Sequence, residues 1–200
     1  MKKILLSFVL SVFTLFAIGT NPHTDHIRVN TDKSTVKWKG SKITKSHEGN
    51  INIMKGVLLI NHGKLVGGEF SIDMNSITNT DMQDRRKQRL EGHLKSADFF
   101  DVENFPTSSI KITKALPIKE SDRDNNYLII ANLTIKGITH SITFEADVKI
   151  SGLSYVANAK IKLDRTKWDV KYNSGNFFKD LGDKLILDDI EFDISLVSAK

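Results

Sequence analysis

Alternation of apolar and polar residues dominates the second half of this chain. The segments 142–149, 155–163 and 190–196 each place apolar side chains at every second position, and the side chains between them are polar except for Val156. Residues 36–39 and 50–53 repeat the pattern in the first half. A period of two is typical of a β-strand that buries one face and exposes the other. The alternation therefore predicts an all-β fold.

Further strands and turns extend this prediction along the chain. Apolar runs at Val57–Ile60 and Tyr127–Ile135 are typical of well-covered strands, and strands are also expected at 64–73 and 108–116. Turn residues separate the strands at short, regular intervals, and Gly67-Gly68 inside a strand indicates a bulge or bend. We expect about eight antiparallel strands in consecutive hairpins, closed into a barrel that leaves no free edges.

One segment departs from the β pattern and predicts a short helical insert. Thr80–Gln83 fits a capping box, with Thr80 as the N-cap. Met82, Leu90 and Leu94 then share one helix face, which we expect to pack against the sheet. Gly92 is expected to divide the insert into two short helices.

The N-terminus has the pattern of a secretory signal peptide. Lys2 and Lys3 precede an uncharged apolar run from Ile4 to Ile18, and the small residue Gly19 follows. We place the signal peptide at residues 1–19, a loose lead-in at 20–33 and a single barrel domain at 34–200. The run is short for a membrane span, so an uncleaved anchor is the alternative, and no later segment is apolar enough to span a bilayer. The mature protein is expected to be periplasmic or secreted.

Composition narrows the possible functions. The 200-residue chain has no cysteine, which excludes disulfides, thiolate metal sites and cysteine nucleophiles. Its six histidines show no metal-ligand spacing, so no metal site is expected. Removal of Lys2 and Lys3 lowers the formal charge from +5 to +3, which argues against nucleic-acid binding. The basic run Arg85–Lys87 is either a solvated helix face or a contact for anionic lipid.

A series of motifs from Ser34 to the C-terminus resembles the YceI family of exported, lipocalin-like barrels that bind polyisoprenoid lipids. The order of the motifs is more specific than any one of them. At the Ile-Thr turn the family commonly has Lys-Pro where this chain has His140-Ser141. The matching segments are 34–40, 44–49, 66–73, Ser76, Asp81, 90–106, 132–139 and 164–166.

The resemblance implies a lipocalin-like barrel with a hydrophobic channel for an isoprenoid chain, such as a quinone tail or a polyprenyl phosphate. No catalytic residue and no cofactor beyond that lipid are expected, and exposed strands together with a basic helix allow a homodimer. Arg165, expected to form a local ion pair with Asp164, is the candidate contact for a lipid head group. Of the adjacent pair Phe99-Phe100, we expect one ring to pack under the helix and the other to cap the channel. The candidate channel-lining residues are Trp38, Phe70, Ile72, Leu90, Leu94, Phe99, Phe100, Ala131, Leu133, Phe144, Ala146, Ala159, Ile161 and Phe192.

The residues alone leave two kinds of barrel open. Ala131, Ala146, Ala157 and Ala159 lie on otherwise apolar faces, where small side chains leave volume for a ligand. A solid, tapered core also mixes large and small residues. A solid-core barrel acting as a surface interaction or envelope-stress module is therefore the alternative function. A lipid-modifying enzyme has less support, because no paired acid and base can be identified.

Overall fold

A computed structural model describes residues 23–118 and 126–199 of this chain. Most of these residues form antiparallel strands, with one α-helix, α1, and two 3₁₀ helices at Arg165–Trp168 and Gly182–Lys184. The helix α1 spans Asp84–Lys95. The strands are β1 (Thr24–Arg28), β2 (Thr35–Lys42), β3 (Ser46–Asn61), β4 (Lys64–Asn79), β5 (Thr107–Pro117), β6 (Tyr127–Ile135), β7 (Ile138–Ser151), β8 (Ser154–Asp164) and β9 (Ile186–Val197).

Eight of the strands close into a barrel. The hydrogen-bonded order is β3-β2-β9-β8-β7-β6-β5-β4, and pairing between β3 and β4 completes the ring. Most neighbours are joined by hairpins, while β2 and β9 bring the two ends of the domain together. The prediction of an antiparallel barrel of about eight strands with a short helical insert is confirmed.

The alternating pattern also predicts the correct faces. Phe144, Ile161 and Phe192 point into the barrel, where they pack with the core, while Lys160 and Asp193 are exposed. Successive side chains of a strand point to opposite faces, so one correctly placed residue determines the others. The core therefore occupies the barrel interior, which the helix covers at one end.

The structure contradicts the prediction of a loose lead-in before Ser34. Thr24–Arg28 forms β1 and pairs with β3 from Thr24 opposite Asn61 to Arg28 opposite Val57. Val29 then forms an isolated bridge with Ser198. Within β1 the one buried side chain is Ile27, so the local sequence has little apolar signal. Only the long neighbouring strand gives β1 a partner for its backbone groups.

The predicted start of the helix, with Thr80 as the N-cap, is three residues too early. The helix begins at Asp84, Gln83 is its N-cap without a side-chain hydrogen bond, and Gly92 does not divide it. Thr80 lies directly after β4 instead, where its N–H donates to the Glu48 carbonyl of β3 at 2.9 Å.

The residues between β4 and α1, here called the junction before α1, are held to β3 by side-chain hydrogen bonds. Asp81 Oδ2 lies 2.8 Å from His47 Nδ1, and Asp81 Oδ1 accepts from the Glu48 N–H. Burial alone would raise the pKa of Asp81, but hydrogen bonds from His47, the Glu48 backbone and Asn79 lower it below its usual value. Asn79 is fully buried and also accepts the Met82 N–H through its side chain. Contacts distant in sequence thus replaced the local cap.

The predicted signal peptide, residues 1–19, and the first residues of the lead-in lie outside the described residues. Among the helices in the described part of the chain, none is long and apolar enough to cross a membrane.

Candidate functional site

An internal cavity of about 220 Å³ follows the barrel axis. It reaches from Leu94 under the helix to Leu58 and Leu65 at the opposite end of the barrel. Nearly all the bordering side chains are apolar. Within the described residues, Ser108, Asn158 and Arg165 are the polar exceptions. Such a space favours an elongated apolar ligand over a polar one.

Twelve of the fourteen candidate channel residues border this cavity. The strands alternate their side chains, so the inward positions of β2, β4 and β6–β9 converge on one space. These residues are Trp38, Phe70, Ile72, Leu94, Phe99, Phe100, Leu133, Phe144, Ala146, Ala159, Ile161 and Phe192.

The other two candidates do not border the cavity. Ala131 points inward but is completely buried, with no exposed surface. Leu90 is half-buried on α1 and packs against the core. Both residues were assigned to the correct apolar face. That assignment does not distinguish a side chain that faces the cavity from one covered by its neighbours.

Small side chains form one wall of the cavity. Ala146 on β7 and Ala159 on β8 are directly opposed, and Ala157 is opposite Val148 on the same pair of strands. All three alanines border the cavity. A single methyl group at each position leaves space that a larger aliphatic side chain would fill.

Two aromatic side chains of the lining pack over glycines. Trp38 is opposite Gly49, and a Cβ atom at Gly49 would lie 1.8 Å from the Thr78 carbonyl oxygen and 2.7 Å from the Trp38 ring. Phe70 covers Gly56 in the same way, with its ring carbon only 2.0 Å from the position of a Cβ. Trp38 Nε1 also donates to the Thr78 carbonyl at 3.2 Å. The glycines thus orient two large rings along the cavity wall, a role that the sequence analysis did not assign because it depends on strand register.

The residues after α1 cover one end of the cavity. Phe99 and Phe100 lie in a turn, and their rings meet edge to face with centroids 5.3 Å apart. Both rings border the cavity. The Phe99 ring also contacts the helix, since its centroid lies 5.6 Å from that of His93 in α1. The division of roles, with one ring under the helix and the other capping the channel, stays a prediction. Opposed side-chain directions within a strand do not apply here, because both residues lie in a turn.

Gly40 and Leu187 mark an opening at this same end. Gly40 follows Val36 and Trp38 on the inward face of β2 and borders the cavity, and a Cβ there would meet nothing within 4 Å. Leu187 borders the cavity as well but is 42% exposed. The β2–β9 register shifts between Gly40 and Lys42, where β9 bulges away from its neighbour. A glycine at an inward strand position is the one sequence signal from which this opening could have been predicted.

Arg165 lies at the helix end of the cavity and is 2% exposed. Its Nε, Nη1 and Nη2 groups donate to the carbonyls of Leu187, Val170 and Ile186, at 3.3, 2.8 and 3.2 Å. Nη2 is also 3.1 Å from Asp188 Oδ1. Most of its hydrogen-bonding capacity therefore holds the chain after β8 against the start of β9.

The predicted local ion pair of Arg165 with Asp164 is wrong. Asp164 caps the 3₁₀ helix by accepting from the Thr166 N–H and hydroxyl, and Asp188 is the partner of Arg165. Burial lowers the pKa of Arg165, while the nearby carboxylates of Asp188 and Asp164 oppose that shift. The guanidinium remains a cation at neutral pH, because an arginine pKa starts far above that range.

A second concavity, of about 690 Å³, lies on the outer face of the barrel. It is lined mainly by alternating lysines and carboxylates of β2, β8 and β9, and is open to solvent. Among the described residues, no group of three or more potential metal ligands occurs, in this concavity or elsewhere. The internal cavity is therefore the candidate binding site.

Comparison with known proteins gives one family and several related structures. The model of the YceI-like domain matches residues 28–198. UPF0312 proteins of Yersinia enterocolitica and Yersinia pestis are each 28% identical over 98 residues, which is 45% of this chain and 48% of theirs. The chain thus spans about half the length of the curated relatives it matches.

Two solved structures share the fold over most of their length. BcnA of Burkholderia cenocepacia superposes with a TM-score of 0.67 at 20% identity, covering 86% of this chain and 99% of BcnA. A polyisoprenoid-binding domain from Saccharophagus degradans, implicated in plant cell wall breakdown, superposes with a TM-score of 0.63 at 11% identity, covering 89% and 98%. At these identities the likeness shows the fold alone.

Proposed function

The chain belongs to the YceI-like domain family, and on that basis we propose that it is an exported, non-catalytic protein that holds an isoprenoid chain in its barrel. The ligand would be a quinone or polyprenyl phosphate type of lipid, bound for carriage or sequestration. The observation that carries this proposal is the apolar cavity along the barrel axis. The polyisoprenoid-binding domain of similar fold supports the class of ligand.

The energetics suit an apolar chain. Removing a hydrocarbon from water contributes about 0.8 kcal/mol per carbon, so each five-carbon isoprene unit contributes about 4 kcal/mol. Association costs roughly 4–15 kcal/mol in lost freedom of motion, so a few buried units suffice for stable binding. No polar contact is required for this affinity, and cavity dimensions would decide which lipid fits.

The size of the cavity suggests how a long chain is held. Its volume of about 220 Å³ is below the roughly 300–1,000 Å³ of common ligand pockets. We propose that part of the tail fills the cavity, with its polar end near the opening between Gly40 and Leu187. Arg165 faces the same end, but its carbonyl contacts leave it little capacity for a head group.

The cavity lining does not support the enzyme alternative. Among the bordering residues that the structure describes, none is a histidine or a carboxylic acid, the usual groups for proton transfer. Tyr155 is buried, which raises its pKa to about 12, and it does not border the cavity. Storage of a lipid requires none of these groups, whereas most reactions of a lipid would.

Native mass spectrometry tests the proposal. The delipidated protein is mixed with farnesol, which has three isoprene units, or with palmitate, a straight chain of similar length. We expect a 1:1 complex with farnesol and an unchanged ligand after prolonged incubation. Binding of palmitate alone would contradict the isoprenoid assignment, and binding of neither would favour the surface interaction module. Chemical conversion of the ligand would contradict the non-catalytic role.

A further inference from the structure

Four large apolar side chains are exposed at the helix end of the barrel. Ile43 is 69% exposed, Phe177 51%, Phe178 50% and Leu187 42%. We call these four residues the entrance rim. Exposed aromatic and branched side chains gathered near one site indicate a surface that meets an apolar partner.

Backbone pairing places two of the rim residues beside the cavity opening. Lys42 pairs with Ile186, so Ile43 follows β2 at the point where Leu187 begins the bulge of β9. Leu187 itself borders the cavity. This part of the rim therefore adjoins the opening described above.

Hydrogen bonds bring the two phenylalanines to the same end. Ser174 Oγ and Asn176 Nδ2 donate to Asp188 Oδ2 at 2.9 and 2.8 Å. The Phe177 and Phe178 N–H groups both donate to the Ser174 carbonyl. The loop is thus held against the start of β9, and its two aromatic rings remain exposed.

Positive charge accompanies the rim. Arg85, Arg86 and Arg89 of α1 are exposed, and no ion pair between described residues involves them. The C-terminal part of the same helix adjoins the loop, since the His93 and Tyr172 ring centroids are 4.5 Å apart. Arg85 and Arg86 belong to the basic run Arg85–Lys87, for which the sequence allows either a solvated helix face or a contact for anionic lipid.

The loop itself is nearly balanced in charge. Lys171 Nζ lies 5.1 Å above the Phe177 ring and also pairs with Asp169. Asp180 and Asp183 are flanked by Lys179 and Lys184. The exposed positive charge at this end is therefore that of the basic helix face, and it lies beside the exposed acids Asp98 and Glu103 of the turn that follows α1.

We propose that the entrance rim and the basic face of α1 dock this end of the barrel onto an anionic lipid bilayer. Aromatic side chains at a bilayer interface insert their apolar part, and exposed arginines are attracted to anionic head groups. Docking would place the cavity opening against the membrane. The inference rests on the proposed function for its purpose, because an isoprenoid lipid would be exchanged there, but the docking itself does not require an occupied cavity.

Hydrogen–deuterium exchange on the whole chain tests the docking. The protein is mixed with vesicles of phosphatidylcholine containing phosphatidylglycerol, or with vesicles of phosphatidylcholine alone. We expect slower exchange in residues 171–187 and 84–95 with anionic vesicles only, and no change in the β7–β8 turn. Because the readout is local, binding through the apolar N-terminal segment does not imitate it. Absence of protection at 171–187, or equal protection by both kinds of vesicle, would overturn the proposal.

Charge variants supply a matched comparison. Arg85→Gln/Arg86→Gln removes two charges from the basic helix face, and Lys64→Gln/Lys114→Gln removes two exposed charges from the opposite half of the barrel. The helix variant should raise the lipid concentration needed for half-maximal protection of residues 171–187 at least tenfold. The control should change this concentration less than twofold. Equal effects of the two variants would mean that vesicle binding depends only on the net charge of the protein. That result would contradict docking through one particular surface.

Apolar variants test the rim in the same way. Phe177→Ser/Phe178→Ser should abolish the protection, whereas Leu116→Ser/Leu153→Ser, at two exposed positions toward the far end, should retain it. Farnesol binding in solution should be unchanged in both. Loss of protection with intact farnesol binding supports docking separately from the cavity. Intact protection in the phenylalanine variant refutes docking through the rim. If the wild-type protein does not bind farnesol but is still protected by anionic vesicles, only the proposed ligand is refuted.

Discussion

Replacing Ala159 by leucine distinguishes a ligand cavity from a solid core. Ala159 borders the cavity, and its cross-strand neighbours are Ala146 on β7 and Ile194 on β9. A leucine there would extend over the alanine wall into unfilled space. Ala131 is the matched control, because it points inward from β6 but is fully buried and does not border the cavity.

The expected energies have opposite signs at the two alanines. Three added carbons contribute about 2.4 kcal/mol when removed from water, less about 0.5–1 kcal/mol of side-chain entropy. Ala159→Leu should therefore stabilise the delipidated protein by about 1.5–2 kcal/mol and raise its Tm by about 3–8 °C. Ala131→Leu should overpack a filled region and cost about 1–3 kcal/mol.

Thermal unfolding of the two delipidated variants measures these shifts. Ligand affinity is measured with a quinone that carries two isoprene units, by quenching of Trp38, which borders the cavity. Ala159→Leu should weaken this binding at least tenfold, because its side chain takes the place of about three ligand carbons. A clear loss of stability in Ala159→Leu together with unchanged binding would refute the cavity reasoning. Similar Tm shifts for both variants would refute the distinction between the two alanines.

Four further predictions concern the register, the opening, the junction before α1 and export. Phe144→Asp should prevent folding, because a lone carboxylate would lose its hydration inside the barrel. Lys160→Gln should change the unfolding free energy by about 0.5 kcal/mol or less. Urea unfolding followed by circular dichroism compares the two variants. Gly40→Leu should fill the opening and slow quinone binding without lowering the Tm, as stopped-flow quenching can measure. The lowered pKa of Asp81 means that its ionised form stabilises the fold at neutral pH and that this contribution is lost as the pH falls below its ordinary value of 3.8, so Asp81→Asn should reduce the acid sensitivity of unfolding. The intact mass of the exported protein should lack residues 1–19.

Each of these four expectations has a contrary outcome. Equal tolerance at the Phe144 and Lys160 positions would contradict the register of β7 and β8. Unchanged binding kinetics after substitution of Gly40 would place the ligand entrance elsewhere. An acid transition identical to that of the wild-type protein would remove Asp81 from the pH dependence of stability. An intact mass that retains the first 19 residues, with the protein in the membrane fraction, would show an anchor.

Helix α1 and strand β1 show where local patterns misled. The capping box at Thr80 is a valid local signal. The segment nevertheless binds Glu48 and His47, which lie more than 30 positions earlier in the chain, and the helix therefore begins only at Asp84. β1 has few apolar residues and is a strand because β3 extends past β2 and offers it hydrogen-bonding partners. Neither outcome can be predicted from neighbouring residues, because each depends on contacts between residues that are distant in sequence.

Alternation along the chain was enough to predict an antiparallel barrel and the inward side chains of β7, β8 and β9. The reason is that the two-residue period of a strand translates alternation directly into faces. The folded structure was needed to show that Ala159 borders a cavity while Ala131 is covered, and that Arg165 pairs with Asp188 and not with Asp164. Those outcomes depend on which strands become neighbours and on how far each side chain reaches across the barrel. Alternation along one strand gives information about neither.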